Sequence, residues 1–274
     1  MTRPVVITAA ALLLLLAIAA ALLVANEGRF IYFPLRPYDA SPAQYGLQAE
    51  DLDVTAADGV RLRGWRLRGG GKTVLVYLHG NGGNISHRLD RSRTLVESLG
   101  LDVVLVDYRG YGKSEGRPSE QGLYADGEAI YEAARARGFP PERIVLFGES
   151  LGCAVAIETA LHKPAHAMIL EAPFLSVRRM ARAVMPVVPP FLIRTRYDNE
   201  AKIGRIDIPK LIAGSDSDDV VPFSQTRRLF ELAAEPKTFH VVAGAAHNNI
   251  YIVGGERYLQ AWKVFLDRAG LQAP

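Results

Sequence analysis

Ser150 sits in Gly148-Glu149-Ser150-Leu151-Gly152, directly after the apolar run Ile144-Val145-Leu146-Phe147 and before a helix-like stretch at about 153–162. In a strand–turn–helix setting, G-x-S-x-G is a nucleophile elbow. The flanking glycines remove side chains that would clash in a sharp turn, and the serine is held at the tip in a strained backbone. The pentapeptide alone is also compatible with an ordinary strand-to-helix turn. Its weight depends on what else the chain supplies. A serine hydroxyl attacks an acyl carbon only if a base takes its proton, an acid orients that base, and N–H donors hold the tetrahedral oxyanion.

Each part follows a predicted strand. The run Lys210–Ala213 leads into Gly214-Ser215-Asp216-Ser217-Asp218-Asp219, ahead of Pro222, which starts the next helix. Three carboxylates compete there: Asp218, four residues before the proline, then Asp216 and Asp219. For the base, Phe239–Val242 leads to Ala243-Gly-Ala-Ala-His247-Asn248-Asn249. Of the six histidines, only His247 follows the last strand and precedes the last helix. His240 lies within that strand, His162 and His166 flank a helix-to-strand turn, and His87 begins a helix. For the oxyanion, Leu78-His79-Gly80-Asn81-Gly82-Gly83-Asn84 offers close backbone approach. The N–H of Asn81, with that of Leu151, is the candidate donor pair. His79 is expected to bond neighbouring loops. A glycine-rich loop can also cradle phosphate, but neither G-x-x-x-x-G-K-[ST] nor G-x-G-x-x-G occurs here.

The elements that must position these residues alternate. Short, solidly apolar runs at Thr73–Leu78, Val103–Asp107, Ile144–Phe147, Ala167–Leu170, Lys210–Ala213 and Phe239–Val242 read as buried parallel strands. Helical stretches lie between them, at about 87–98, 121–137, 152–162, 223–234 and 255–268. The alternation predicts an α/β fold, a mostly parallel sheet with helices on both faces. Two alternating runs around Asp58-Gly59 predict a hairpin that adds an antiparallel edge. Residues 173–206 break the rhythm with methionines, prolines and arginines. They are expected to form a small lid over the carboxyl ends of the strands.

Composition narrows the function classes. Net charge is +3 with 32 basic and 29 acidic residues spread along the chain, so no nucleic-acid footprint is present. The single cysteine, Cys153, allows neither an intrachain disulfide nor a Cys-based metal site, and is expected in the core. Val5 to Ala25 is free of charge, with Thr8 its one polar residue. Its length, about 20 residues, matches a bilayer's hydrocarbon thickness. A signal-anchor helix is the expectation; a cleaved signal peptide usually has a shorter apolar region. Arg3 precedes the stretch, while Glu27 and Arg29 nearly cancel after it, which places the following domain outside the cytosol. The expected organisation is therefore a membrane anchor at 1–26, an aromatic and proline-bearing interface or linker at 27–50, and a catalytic domain at 51–270.

The motifs together resemble a family. His79-Gly-Asn-Gly-Gly-Asn84, Asp107-Tyr-Arg-Gly-Tyr-Gly-Lys-Ser-Glu-Gly116, Gly148–Gly152, Asp218-Asp-Val-Val-Pro222 and His247-Asn248 are similar to the signatures of serine α/β-hydrolases. The closest branch is the Bem46-like and ABHD13-like hydrolases, a group that also resembles the ABHD17-type protein depalmitoylases. The likeness runs over about 50–268 in order. It implies the α/β-hydrolase fold, Ser150 as nucleophile, Asp218 as acid, His247 as base, and Asn81 and Leu151 as backbone oxyanion donors. It implies no metal or organic cofactor, and members often carry an N-terminal membrane anchor. The loop Asp107–Gly116 is expected to be structural. Ser215, Asn249 and Cys153 depart from the residues common at those places without removing a catalytic group. The reading is a membrane-anchored serine hydrolase acting on an ester, thioester or related acyl bond of a small molecule, lipid or acyl-protein. A serine amidase or aminopeptidase shares the triad. A dehalogenase would need a carboxylate at position 150, and a non-catalytic membrane interaction protein would not need the Ser, Asp, His order.

Overall fold

The computed structural model describes residues 14, 15, 18 and 20–271. Eight strands form one sheet: β1 (Ala49–Thr55), β2 (Arg61–Leu67), β3 (Val74–Leu78), β4 (Asp102–Val106), β5 (Ile144–Glu149), β6 (Ala167–Glu171), β7 (Lys210–Ser215) and β8 (Lys237–Val242). Their spatial order is β8-β7-β6-β5-β3-β4-β2-β1. β3 to β8 run parallel, while β2 is antiparallel to both β1 and β4. The expected hairpin is present. Leu52 and Val54 are buried while their β1 neighbours are not, the alternation of a strand with one covered face.

The central strands are covered on both faces. Val74, Val76 and Leu78 of β3 join one apolar cluster, and Leu75 and Tyr77 join the other, as the two-residue period of a strand requires. Helices α2 (Glu120–Ala136), α3 (Leu151–His162) and α5 (Phe223–Leu232) pack on the first face. Helices α1 (Leu89–Leu99) and α6 (Ile250–Arg268) pack on the second. α2 begins where the Ser119 hydroxyl accepts the Gly122 N–H. α6 starts earlier than the expected 255: a helical turn from Ile250 precedes a break at Gly255, whose φ of 46° and ψ of −136° leave the helix.

The chain passes from β3 to β4 on one side and then returns across to β5 on the other. That reversal opens a crevice at the carboxyl ends of β3 and β5, where open α/β sheets place their ligands. Residues 173–206 carry α4 (Val177–Val184) and short 3₁₀ turns, and connect β6 to β7 over this end.

Candidate active site

The turn from β5 into α3 is strained at one residue. Ser150 has φ 52° and ψ −113°, a region that costs a non-glycine residue of order 1–3 kcal/mol. Two backbone bonds hold it: Ser150 N–H donates to Glu171 C=O at 2.8 Å, and Ser150 C=O accepts from Cys153 N–H at 3.0 Å. The flanking glycines are sterically required. A Cβ on Gly148 would meet the backbone of Cys153, and one on Gly152 would run into the Leu78 carbonyl oxygen. Cys153 itself is buried, with its thiol donating to Gly148 C=O. It is a core residue, as the sequence suggested.

The loops after β7 and β8 bring their polar groups to the serine. His247 Nε2 lies 2.9 Å from Ser150 Oγ, and His247 Nδ1 lies 2.8 Å from Asp218 Oδ2. The other Asp218 oxygen accepts from Val220 and Val221 N–H, so the carboxylate is fixed before it meets the ring. The competing carboxylates do other work: Asp216 accepts from Gly244 N–H and Asp219 from His247 N–H. Burial works against a charged imidazole, but the hydrogen bond and charge of Asp218, with Glu149 and Glu171 beyond, outweigh it. The pKa of His247 is thereby raised above 6.5.

Asn81 and Leu151 border the same cavity as Ser150. Leu151 is the first residue of α3, so its N–H has no intrahelical acceptor. Asn81 is fixed from several directions. Its carbonyl accepts from Phe33 N–H and Tyr111 OH, both at 2.9 Å, and its side chain donates to Ile31 C=O at 2.8 Å. Tyr111 belongs to the Asp107–Gly116 loop, which therefore braces the Asn81 loop. Asp107 extends that brace by accepting from Ile85 N–H and Tyr38 OH. His79 is buried between these loops, bonded to Gly80 C=O and Tyr108 N–H. Burial lowers its pKa to about 3, so it stays neutral.

Beneath the elbow lie charged groups that the motifs did not announce. Arg88 reaches Gly82 C=O at 2.8 Å and Glu149 at 3.2 Å, tying the Asn81 loop to the residue before the serine. Arg91 pairs with both oxygens of Glu171, each at 2.6 Å, and lies over the ring of Phe147. Burial pushes the Glu149 carboxyl up, but Arg88 and Arg91 bring it down to about 2. Two arginines one helical turn apart near the start of α1 were the available signal, but nothing in the sequence names partners 61 and 80 residues away.

A cavity of about 380 Å³ opens at Ser150. Its apolar wall comes from α4 and the following turn (Met180, Val184, Met185, Leu192) and from the N-terminal segment (Leu23, Phe30, Phe33). A larger depression of about 620 Å³, around Tyr38 and Trp65, does not include Ser150. The segment expected to be an interface or linker is thus packed on the domain. Tyr32 is buried against Tyr197, while Phe30 and Phe33 remain exposed. Much of the expected anchor at 5–25 lies outside the described residues. Among those described, no helix is long and apolar enough to cross a membrane.

The sheet order, the strained serine at the β5–α3 turn and the loop-borne histidine define an α/β-hydrolase fold. Solved structures agree on the fold: an esterase of Pyrococcus furiosus superposes with a TM-score of 0.71 at 19% identity, covering 87% of this chain and 98% of that one. The family described as serine aminopeptidase S33 matches residues 70–200. Over longer spans, the chain is 32% identical to the α/β-hydrolase domain-containing protein WAV2 of Arabidopsis thaliana, covering 90% of this chain and 89% of that protein. It is 30% identical to protein bem46 of Schizosaccharomyces pombe, covering 85% and 82%. An uncharacterized Mycobacterium tuberculosis protein, Rv2307c, is 37% identical over 90% and 89%. The chain belongs to the Bem46-like branch of the α/β-hydrolases.

Proposed function

We propose that the protein is a membrane-anchored serine hydrolase that cleaves an ester, thioester or related acyl bond through an acyl-enzyme. The observation that carries this reading is the continuous Ser150–His247–Asp218 hydrogen-bond chain at the mouth of an apolar cavity. His247 Nε2 takes the Ser150 proton as Oγ attacks the acyl carbon. The carbonyl oxygen becomes an oxyanion facing the N–H groups of Asn81 and Leu151. Asp218 holds the Nδ1–H tautomer and stabilises the imidazolium. The leaving oxygen, sulfur or nitrogen then takes the proton from Nε2 as its bond to carbon breaks. A water, deprotonated by His247, attacks the acyl-enzyme, and the proton returns to Ser150 Oγ as the acid departs.

The acyl-hydrolase reading is favoured over an aminopeptidase by the cavity wall. An aminopeptidase must neutralise a cationic peptide terminus beside the scissile bond. Among the described residues two acidic side chains border this cavity: Glu27 accepts from the backbone of Arg194 and Thr195, and Asp219 from that of His247. The rest of the wall suits an apolar acyl group. Anchorage rests on the 5–25 stretch, with exposed Leu22 and Phe30 continuing it to the cavity rim. The charge balance about that stretch favours a domain outside the cytosol.

A fluorophosphonate probe tests the mechanism on the full chain. Wild type should label. Ser150→Ala should not label and should lose at least about 10⁴-fold in kcat/KM on a p-nitrophenyl ester, with Asp218→Asn and His247→Ala strongly reduced. Full hydrolysis by purified Ser150→Ala would rule the mechanism out.

A further inference from the structure

The N-terminal segment that precedes the domain enters the site at three places. Leu23, Glu27, Phe30, Ile31 and Phe33 border the cavity that holds Ser150. Ile31 C=O and Phe33 N–H bracket Asn81, accepting from its side chain and donating to its carbonyl. Phe33 and Pro34 then pair in parallel with Gly82 and Gly83, extending the brace along the same loop. Finally, the Glu27 carboxylate accepts the N–H groups of Arg194 and Thr195, at 3.1 Å each, from the chain just after the cavity-lining turn. A carboxylate taking two backbone N–H groups is a charge-assisted clamp. The strand of chain it holds is gripped again at Arg196 and Tyr197, whose N–H groups donate to Glu120.

These contacts differ in what they act on. The Asn81 contacts fix a peptide beside Ser150. The Glu27 contact fixes the spacing between the N-terminal wall and the α4 wall, and it touches neither Ser150 nor His247. The space between those two walls is the apolar part of the cavity. Exposed apolar side chains stand on both rims, Phe30 and Phe33 on one and Val184 on the other, so an elongated apolar group leaving the cavity would keep apolar cover.

We propose that residues 23–34 form the second wall of a fatty-acyl binding channel and that Glu27 is its positioning residue, setting which chain lengths are accepted by clamping this wall to the α4 segment. The inference rests on the acyl-hydrolase reading and goes beyond it. The juxtamembrane segment is thereby part of the substrate site, and the acyl chain lies between it and α4.

The full chain, in detergent micelles, is assayed on p-nitrophenyl acetate and p-nitrophenyl decanoate. Wild type should prefer the decanoate. Glu27→Ala should lower kcat/KM for the decanoate about tenfold, through KM, by losing one charge-assisted clamp. Acetate, which does not span the two walls, should fall by less than the decanoate does, so the decanoate-to-acetate ratio is the readout, and an unchanged urea unfolding midpoint reports intact folding. Phe30→Ala, which removes wall without touching the clamp, should also weaken the decanoate selectively. A decanoate-to-acetate ratio unchanged in both variants, or a wild type that favours acetate, would overturn the inference while leaving the hydrolase reading in place. Wild type that takes up no fluorophosphonate would overturn both.

Discussion

The floor and the roof of the site are built from opposite chemistry. Beneath Ser150, Glu149 and Glu171 at the ends of β5 and β6 meet Arg88 and Arg91 from the start of α1, and the Arg91–Glu171 side chains are only 7% and 4% exposed. Above it, the α4 segment presents Val187 and Phe191 at 89% and 80% exposure. Charge is buried beneath the serine, and apolar surface is exposed next to the residues that line the cavity. A buried ion pair contributes little net stability compared with apolar packing, but each partner makes the other indispensable. The roof has the reverse property: its exposed side chains contribute almost nothing to folding and are free to be chosen for what they contact.

The floor should therefore be the more fragile half by a wide margin. Arg91→Ala leaves Glu171 buried and unpaired and strips a cation from the face of Phe147. The expected loss is about 3–5 kcal/mol of unfolding free energy, read from urea denaturation. Because the penalty comes from the orphaned charge, the double change Arg91→Met with Glu171→Leu should recover most of it. A single-variant loss below about 1 kcal/mol would show that the pair is not the keystone assigned to it.

The floor also reaches His247, the base of the proposed mechanism. Burial disfavours its charged form, yet the hydrogen bond and charge of Asp218, reinforced by Glu149 and Glu171, raise its pKa above 6.5. A base must be neutral to accept a proton, so the acid limb of kcat/KM should have its midpoint above pH 6.5, with activity rising toward alkaline pH. The same shift adds stability that is fully present below pH 6.5 and lost as pH rises through the folded value. NMR titration of the His247 ring in Ser150→Ala reads the value without turnover. A midpoint at or below 6.5 would break the link between floor and base.

The two regions also differ in how much of them the sequence carried. The strands under the site were legible because burial on both faces forces unbroken apolar runs, and all six predicted central strands lie within a residue or two of their places. The places of Ser150 and His247 were legible because the sharp turn needs glycines around one and the other stands just after the last strand. The turn by itself did not choose among Asp216, Asp218 and Asp219, since all three share it; the likeness of Asp218-Asp-Val-Val-Pro222 to the family pattern pointed to Asp218, and Asp218 is the one beside the His247 ring. The floor pairs were hidden because Arg88 and Arg91 look like any solvated helix charges until tertiary packing covers them. The role of residues 27–35 was hidden for another reason: one helical turn and two strand residues are too short to show a periodicity, and the segment's contacts with Asn81 run through backbone atoms that every residue type shares.

The roof allows the gentlest test of the comparison. Val187 and Phe191 are almost wholly exposed, so replacing both by serine should move unfolding free energy by no more than about 0.5 kcal/mol. If the exposed roof serves a bilayer, each apolar side chain transferred from water contributes part of the roughly 1.5–3 kcal/mol that full burial would give. The paired substitution should then slow hydrolysis of a long-chain ester embedded in vesicles by several-fold, on the order of half that transfer energy. Hydrolysis of dissolved p-nitrophenyl acetate should be untouched. Arginines at 178, 182 and 194 flank the apolar tip, so the vesicle rate should also rise with anionic lipid and fall with added salt. If the vesicle rate is instead unchanged and the protein is destabilised, the apolar tip belongs to the fold, and the contrast between a structural floor and a substrate-facing roof fails.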